Sequence, residues 1–172
     1  GEKIARPELT TRWNDRKVVR ETSNAEEGNT SSTVMLSWLL PGAEDARLNT
    51  ELSLIVDLLL GNPGSPLYKA IVESGLGRDL SSESGMSDSY RELLFSVGIS
   101  GADEKDAERI EEFILSSLRN IAKEGLSKMS IEASLRRMEF RLKEIPSGIS
   151  QGYSLFFSRI DKGWAYGKTP AD

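Results

Sequence analysis

Glu92-Leu93-Leu94-Phe95-Ser96-Val97-Gly98-Ile99 is the stretch whose reading decides the fold. Leu93, Phe95, Val97 and Ile99 alternate with Glu92, Leu94, Ser96 and Gly98. That period of two places the first set on one buried face of a β-strand. Just before it, Leu80–Ser89 is polar and irregular, which predicts a weaker antiparallel neighbour at a sheet edge. Just after it, Asp103 caps a helix that runs on Ala107, Ile110, Ile114, Leu118 and Ile121 at 3,4 spacing and stops at Gly125. A second helix spans about Ser127 to Glu144 on Ile131, Leu135, Met138, Leu142 and Ile145, closed by Pro146 and Gly148. The aromatic segment Tyr153 to Trp164 reads as a last helix.

Further strands and helices are expected towards the amino terminus. A short strand is expected at Lys17–Thr22, a polar turn at Asn24–Asn29 and a second strand at Thr33–Leu40. Val34, Met35, Leu36, Trp38, Leu39 and Leu40 make that second strand apolar on both faces, the pattern of a central, covered strand. Pro41-Gly42 ends it. A helix from about Asp45 to Leu60 carries Leu48, Leu52, Ile55 and Leu59 on one stripe, widened by Leu54 and Leu58, which predicts deep burial. Gly61-Asn62-Pro63-Gly64 then turns the chain, and Ser65-Pro66 opens a short helix to about Ser74. The order β-β-α-α-β-β-α-α-α, strand pairs followed by helices, argues for an α+β fold. The expected architecture is an antiparallel, or mixed, sheet with helices packed on one face. Residues 1–15 are expected to form a lead-in, 16–168 a single domain and 169–172 a tail.

Composition narrows the chemistry. The 172 residues carry a net charge of −5, so no positive field is available to hold phosphate backbones, and nucleic acid is not an expected partner. Cysteine is absent, which removes disulfides and thiolate metal sites and fits a reducing compartment. Histidine is absent too. Catalytic zinc is held by imidazole, thiolate and carboxylate together, so a self-contained zinc enzyme is not expected, and neither is Ser-His-Asp or Cys-His chemistry. A Ser-Lys or two-carboxylate mechanism stays formally open. The apolar runs Val34–Leu40 and Leu52–Leu60 fall well short of the roughly 20 residues of a membrane-spanning helix, so no membrane association is expected.

Four phrases then coincide in order: Ser65-Pro66-Leu67-Tyr68-Lys69-Ala70-Ile71-Val72-Glu73-Ser74-Gly75-Leu76-Gly77, Phe95-Ser96-Val97-Gly98-Ile99, Met138-Glu139-Phe140 and Trp164-Ala165-Tyr166-Gly167. In that spacing the chain resembles the second domain of the presequence-protease branch of the pitrilysin/insulinase zinc metallopeptidases, over about residues 15–168. The resemblance implies a parent of four homologous α+β domains, arranged as two bowl-shaped halves that close around a peptide. It also implies a division of labour. Zinc would be bound in the parent only, by an inverted His-x-x-Glu-His motif on the first domain, where the glutamate activates the metal-bound water. The fourth domain supplies an arginine and a tyrosine facing the scissile carbonyl, from a helix and loop that fall on Leu67–Gly77 and the residue after it. Here Val72 and Arg78 occupy those two positions, so no catalytic residue is carried over.

The resemblance further implies a substrate exosite, where one end of the peptide pairs with an edge strand beside a glycine-rich turn. By position it falls on Gly61, Asn62, Pro63 and Gly64 and on Ser82, Glu83, Ser84, Gly85 and Met86. Serine and glycine leave a strand open to backbone pairing, whereas Pro63 lacks an amide proton and weakens pairing at its own position. The alternative for these residues is an ordinary turn and edge strand. Tyr68 and Lys69 could face a chamber or simply pack half-buried. Glu139 and Lys143 form an i,i+4 surface pair, and the basic run Arg136, Arg137, Arg141 and Lys143 reads as a solvated or interdomain helix face.

The expected function is thus an internal, non-catalytic domain of a zinc metalloendopeptidase that degrades short unstructured peptides, forming chamber wall and a substrate exosite. The alternatives are a domain of a degenerate, non-catalytic relative with a structural role, or a free-standing peptide-binding module. Its expected partners are the other domains of the same polypeptide and a peptide, in a bacterial cytoplasm or an organelle matrix.

Overall fold

The computed structural model describes residues 16–21, 32–40, 45–89 and 92–143. By its contacts the chain divides into Gly1–Thr30 and Ser31–Asp172. In the first unit, residues 16–21 form neither strand nor helix, so the strand expected at Lys17–Thr22 is absent over its described part. Val18 and Val19 are adjacent rather than alternate, and no single face collects the apolar groups that would hold a strand against a core.

The second unit runs β1 (Ser32–Leu40), α1 (Ala46–Leu60), α2 (Pro66–Glu73), β2 (Asp79–Leu80), β3 (Gly85–Ser87), β4 (Leu93–Ala102), a 3-10 turn (Glu104–Asp106), α3 (Ala107–Glu124) and α4 (Lys128–Lys143). All strand pairings are antiparallel. β1 lies along one side of β4, and β2 and β3 pair with successive stretches of its other side. This is the expected α+β architecture with one revision. The centre of the sheet is β4, not β1. In β4, Ser96, Val97, Gly98 and Ile99 are buried in a row, whereas Thr33, Ser37 and Leu39 of β1 are exposed. A strand flanked on both sides can bury small polar residues if they are satisfied, and Ser96 Oγ meets Ser37 Oγ at 2.8 Å. Among the described residues β1 pairs on one side only, and its apolar run marks a strand with one better-covered face.

That covered face is read off the register. Val34 opposes Ile99, Leu36 opposes Val97 and Trp38 opposes Phe95, the last pair stacked with ring centroids 5.4 Å apart. Leu59 and Leu60 of α1, Leu67 and Ile71 of α2, and Ile110 and Ile114 of α3 close over Val97 and Ile99. Gly77 lies against β4 so tightly that a Cβ would come within 2.4 Å of Ile99 Cγ2, which fixes the chain between α2 and β2.

Two helices differ from their expected faces. In α1 burial concentrates at Leu58, Leu59 and Leu60, while Ile55 is 46% exposed. Of the stripe read from Leu48, Leu52, Ile55 and Leu59, Leu48 and Leu52 are half-buried and Leu59 is buried, so the helix is deeply covered only at its carboxyl end. In α4, Leu135 is 47% exposed and Ser134 is buried, while Ile131 and Met138 are half-buried, so the covered face keeps part of the apolar stripe and takes Ser134 in place of Leu135. On that face Arg137 reaches Asp57 of α1 and also donates to Ser134. Arg137, its side chain 40% exposed, thus adds an ion pair with α1 to the basic face expected for this helix. The segment Tyr153–Trp164 lies outside the described residues.

Helix ends follow local chemistry. Asp45 caps α1, accepting from the amides of Arg47 and Leu48 at 3.0 Å each. Asp45→Ala should cost about 1 kcal/mol of unfolding free energy, measurable by urea denaturation. Asp103 accepts from the Lys105 amide and opens the 3-10 turn that leads into α3.

Candidate functional site

The α1 helix ends at Leu60, and Ser65 and Pro66 start α2, so residues 61–65 form the turn between them. Gly64 N–H donates to Asn62 Oδ1 at 2.9 Å, and the Ser65 amide closes the turn on the Asn62 carbonyl at 2.9 Å. A second turn joins β2 to β3, closed by the Ser84 amide on the Ser81 carbonyl at 2.9 Å. Ser82 and Glu83 stand exposed at its tip.

Ser84 does more than close a turn. The Gly98 amide donates to Ser84 Oγ at 3.0 Å, and the Gly98 carbonyl accepts from the Ser81 amide at 2.8 Å. The side chain thus stands in for a ladder partner where β2 and β3 are interrupted, as in an edge bulge. Gly85 follows at φ 137°, a backbone conformation open to glycine and strained for other residues. It turns the chain back into the short strand β3, which pairs with Leu94, Phe95 and Ser96 of β4.

These two segments share one cleft of about 340 Å³, open to solvent. One wall is a helical stripe of α1, Ser53, Val56, Asp57 and Leu60, spaced i, i+3, i+4, i+7, continued by Gly61. The opposite wall is Ser84, Gly85, Met86 and Asp88, from β3 and its approaches. The cleft is therefore a groove between α1 and the segment that carries β3. Gly61 has no room for a side chain, since a Cβ there would lie 2.4 Å from the Asp57 carbonyl oxygen and 2.5 Å from Asp57 Oδ1.

Of the nine residues singled out in the sequence, the structure gathers Gly61, Ser84, Gly85 and Met86 on the groove. Asn62, Pro63, Gly64, Ser82 and Glu83 belong to the flanking turns. The α1 wall was not foreseen. Its signal was Asp57, the one carboxylate inside the apolar run Leu52–Leu60. The Asp57 side chain is 17% exposed, and Arg137 Nη2 donates to its Oδ2 at 2.8 Å and to Ser134 Oγ at 2.6 Å.

The remaining candidates resolve into packing. Tyr68 donates its hydroxyl to Asp79 Oδ1 at 3.2 Å, and the negative charge of Asp79 pushes the phenol pKa up. Lys69 pairs with Glu73 at 3.7 Å and Lys143 with Glu139, both one helical turn apart on the surface. At the two positions that would be catalytic in a fourth domain, Val72 is 47% exposed and the Arg78 amide donates to the Ser100 carbonyl at 2.8 Å. Neither side chain brings an acid, base or nucleophile to the groove. Among the described residues no three carboxylates converge as a metal ligand set, and no helix is long and apolar enough to cross a membrane.

Comparison with known proteins fits this geometry. Residues 3–138 match the family described as the peptidase M16 inactive domain. Presequence protease 1, chloroplastic/mitochondrial, of Arabidopsis thaliana is 36% identical over 159 residues, covering 90% of this chain and 14% of that protein. The mitochondrial presequence protease of Mus musculus is 39% identical over 121 residues, 70% of this chain and 12% of its own length. The chain thus spans only a small part of these relatives. Among solved structures, the inactive peptidase domain of an inferred zinc protease from Bordetella parapertussis superposes with a TM-score of 0.65 at 16% identity, covering 80% of this chain and 72% of that one. An inferred zinc protease from Bordetella pertussis Tohama I gives 0.62 at 18% identity, covering 81% and 72%. At such identities the likeness is one of fold.

Proposed function

Because the chain belongs to the inactive-domain family of the M16 peptidases, we propose that it is an internal, non-catalytic domain of a zinc metalloendopeptidase that degrades short unstructured peptides. In that role it forms part of a chamber wall, its partners are the other domains of the same polypeptide, and its groove holds one segment of the peptide. The parent would work in an organelle matrix or a bacterial cytoplasm, in keeping with relatives named as chloroplastic or mitochondrial proteins. Zinc would be held by a neighbouring domain, since this chain has neither histidine nor cysteine to bind it.

The observation that carries the reading is the groove beside β3. Three residues of β3 span about 10 Å, enough for two or three residues of an extended peptide to add to the sheet by backbone hydrogen bonds. Val56, Leu60 and Met86 give the groove an apolar floor for alternate side chains, while the serines on both walls tolerate many sequences. Such a site favours peptides without structure of their own, because a folded substrate has no free backbone to pair.

The purified chain should bind no stoichiometric zinc and hydrolyse no peptide, yet bind an unstructured peptide measurably by fluorescence anisotropy. Ser53→Trp, which fills the groove from α1, should weaken that binding by about tenfold or more with an unchanged circular dichroism spectrum. Zinc-dependent hydrolysis by the chain alone would refute the assignment, and unaltered binding by Ser53→Trp would refute the groove.

A further inference from the structure

Asp57 belongs to two structures at once. Its side chain lines the groove, and the same carboxylate carries the contact that fastens α4 to α1. The fastening is otherwise thin. Ser134 is the one fully buried residue of α4 among those described, Ile131 and Met138 are half-buried, and Met129, Leu135 and Phe140 are 79%, 47% and 60% exposed. The helix is joined to α3 by residues 125–127, where Gly125 stands at φ 79° with no atom near its missing side chain. A helix with few buried apolar contacts is drawn from the low-stability end of a fold and detaches without unfolding the rest.

We propose that Arg137 is a built-in competitor for the groove. Its guanidinium holds the Asp57 carboxylate on which a cationic group of a bound peptide would also draw, so that peptide binding and the docking of α4 oppose one another. This rests on the groove being a peptide site, as proposed above.

The electrostatics set the direction. Asp57 and Asp88 stand on opposite walls of the same groove, and Arg137 neutralises the first of them. An arginine or lysine side chain lying in the groove draws on that carboxylate, spreads its charge over two donors and weakens the bond to α4. Linkage makes the effect reciprocal. Whatever factor Arg137 removes from the affinity of a cationic peptide, the peptide removes from the docking of α4. A neutral peptide gains nothing from Asp57 and leaves α4 in place. The groove would thereby report the charge of its occupant to a helix whose outward face carries exposed Met129 and Phe140.

The test uses two fluorescein-labelled octapeptides, one alternating leucine with arginine and one alternating leucine with glutamine, against the wild-type chain and Arg137→Met. Methionine keeps the apolar stem of the side chain and removes its charged, hydrogen-bonding end. The substitution should tighten binding of the arginine peptide by about fivefold and leave the glutamine peptide unchanged. In the wild-type chain the arginine peptide should speed amide hydrogen exchange across residues 128–143, and the glutamine peptide should not. If both peptides bind but Arg137→Met gives no gain with the arginine peptide, the competition is wrong while the groove stands. If Ser53→Trp leaves both affinities unaltered, the peptides bind elsewhere and both readings fall. Should Arg137→Met not fold, the exchange measurement decides alone, and unchanged exchange overturns the proposal.

Discussion

Replacing Gly98 by valine should lower the unfolding free energy by about 3 kcal/mol and weaken peptide binding beyond what that loss explains. Gly98 sits at the middle of β4, where a Cβ would lie 2.9 Å from the Val34 carbonyl oxygen, 3.2 Å from Ser81 Cβ and 3.3 Å from the Met35 Cα. Two of those atoms are backbone of β1, held by a ladder that runs the length of the strand, so they cannot yield as a flexible side chain would. The third belongs to the turn that holds the groove. Gly98 also donates its amide to Ser84 Oγ and accepts from the Ser81 amide. Any displacement at residue 98 therefore reaches Ser84 and Gly85 directly. Urea titration of Gly98→Val and Gly98→Ala gives the stability loss, with alanine the milder. Anisotropy with the same peptide, measured under conditions where both variants are folded, gives the binding loss. A stable Gly98→Val chain with wild-type affinity would show that the contact across β4 does not position the edge.

The contrast between β4 and β1 explains how much of this was legible in the sequence. The alternation in Leu93–Ile99 marks a strand, and the polar stretch before it holds its short antiparallel neighbours β2 and β3. Helix limits were equally readable, since Asp45, the Ser65-Pro66 pair, Asp103 and Gly125 act locally. Position within the sheet was not, because it depends on residues that make no pattern. Gly98 and Ser96 look like poor strand residues, yet they allow β4 to be flanked closely on both sides. The groove divides in the same way. Its β3 wall was found through serine and glycine. Its α1 wall was missed because Val56 and Leu60 look like core, and Asp57 has meaning only once Arg137, 80 residues later, is placed against it. The same ion pair accompanies the burial of Ser134 in place of Leu135 on α4, which helical periodicity alone does not give.

Leu67→Ala should be the most costly single truncation on the helical side of the core, lowering the unfolding free energy by about 3 to 4 kcal/mol. Leu67 is fully buried and lies one residue after the Pro66 that starts α2, in the cluster with Ile71, Leu76, Val97 and Ile110. Removing its branched end loses the transfer energy of the buried carbons. It also leaves a void between elements that the strand ladder on one side and α3 on the other prevent from collapsing. The comparison that gives the number its meaning is Ile55→Ala. The two residues have similar apolar volume, and sequence spacing alone assigned Ile55 to the core stripe, but at 46% exposure its truncation should change stability by only about 0.5 kcal/mol. Equal losses for the two variants would mean that α1 presents a different face to the sheet. Because the groove wall Val56, Asp57 and Leu60 is defined by that same face, the pair of urea titrations tests the rotation of α1 on which both the peptide site and its link to α4 depend.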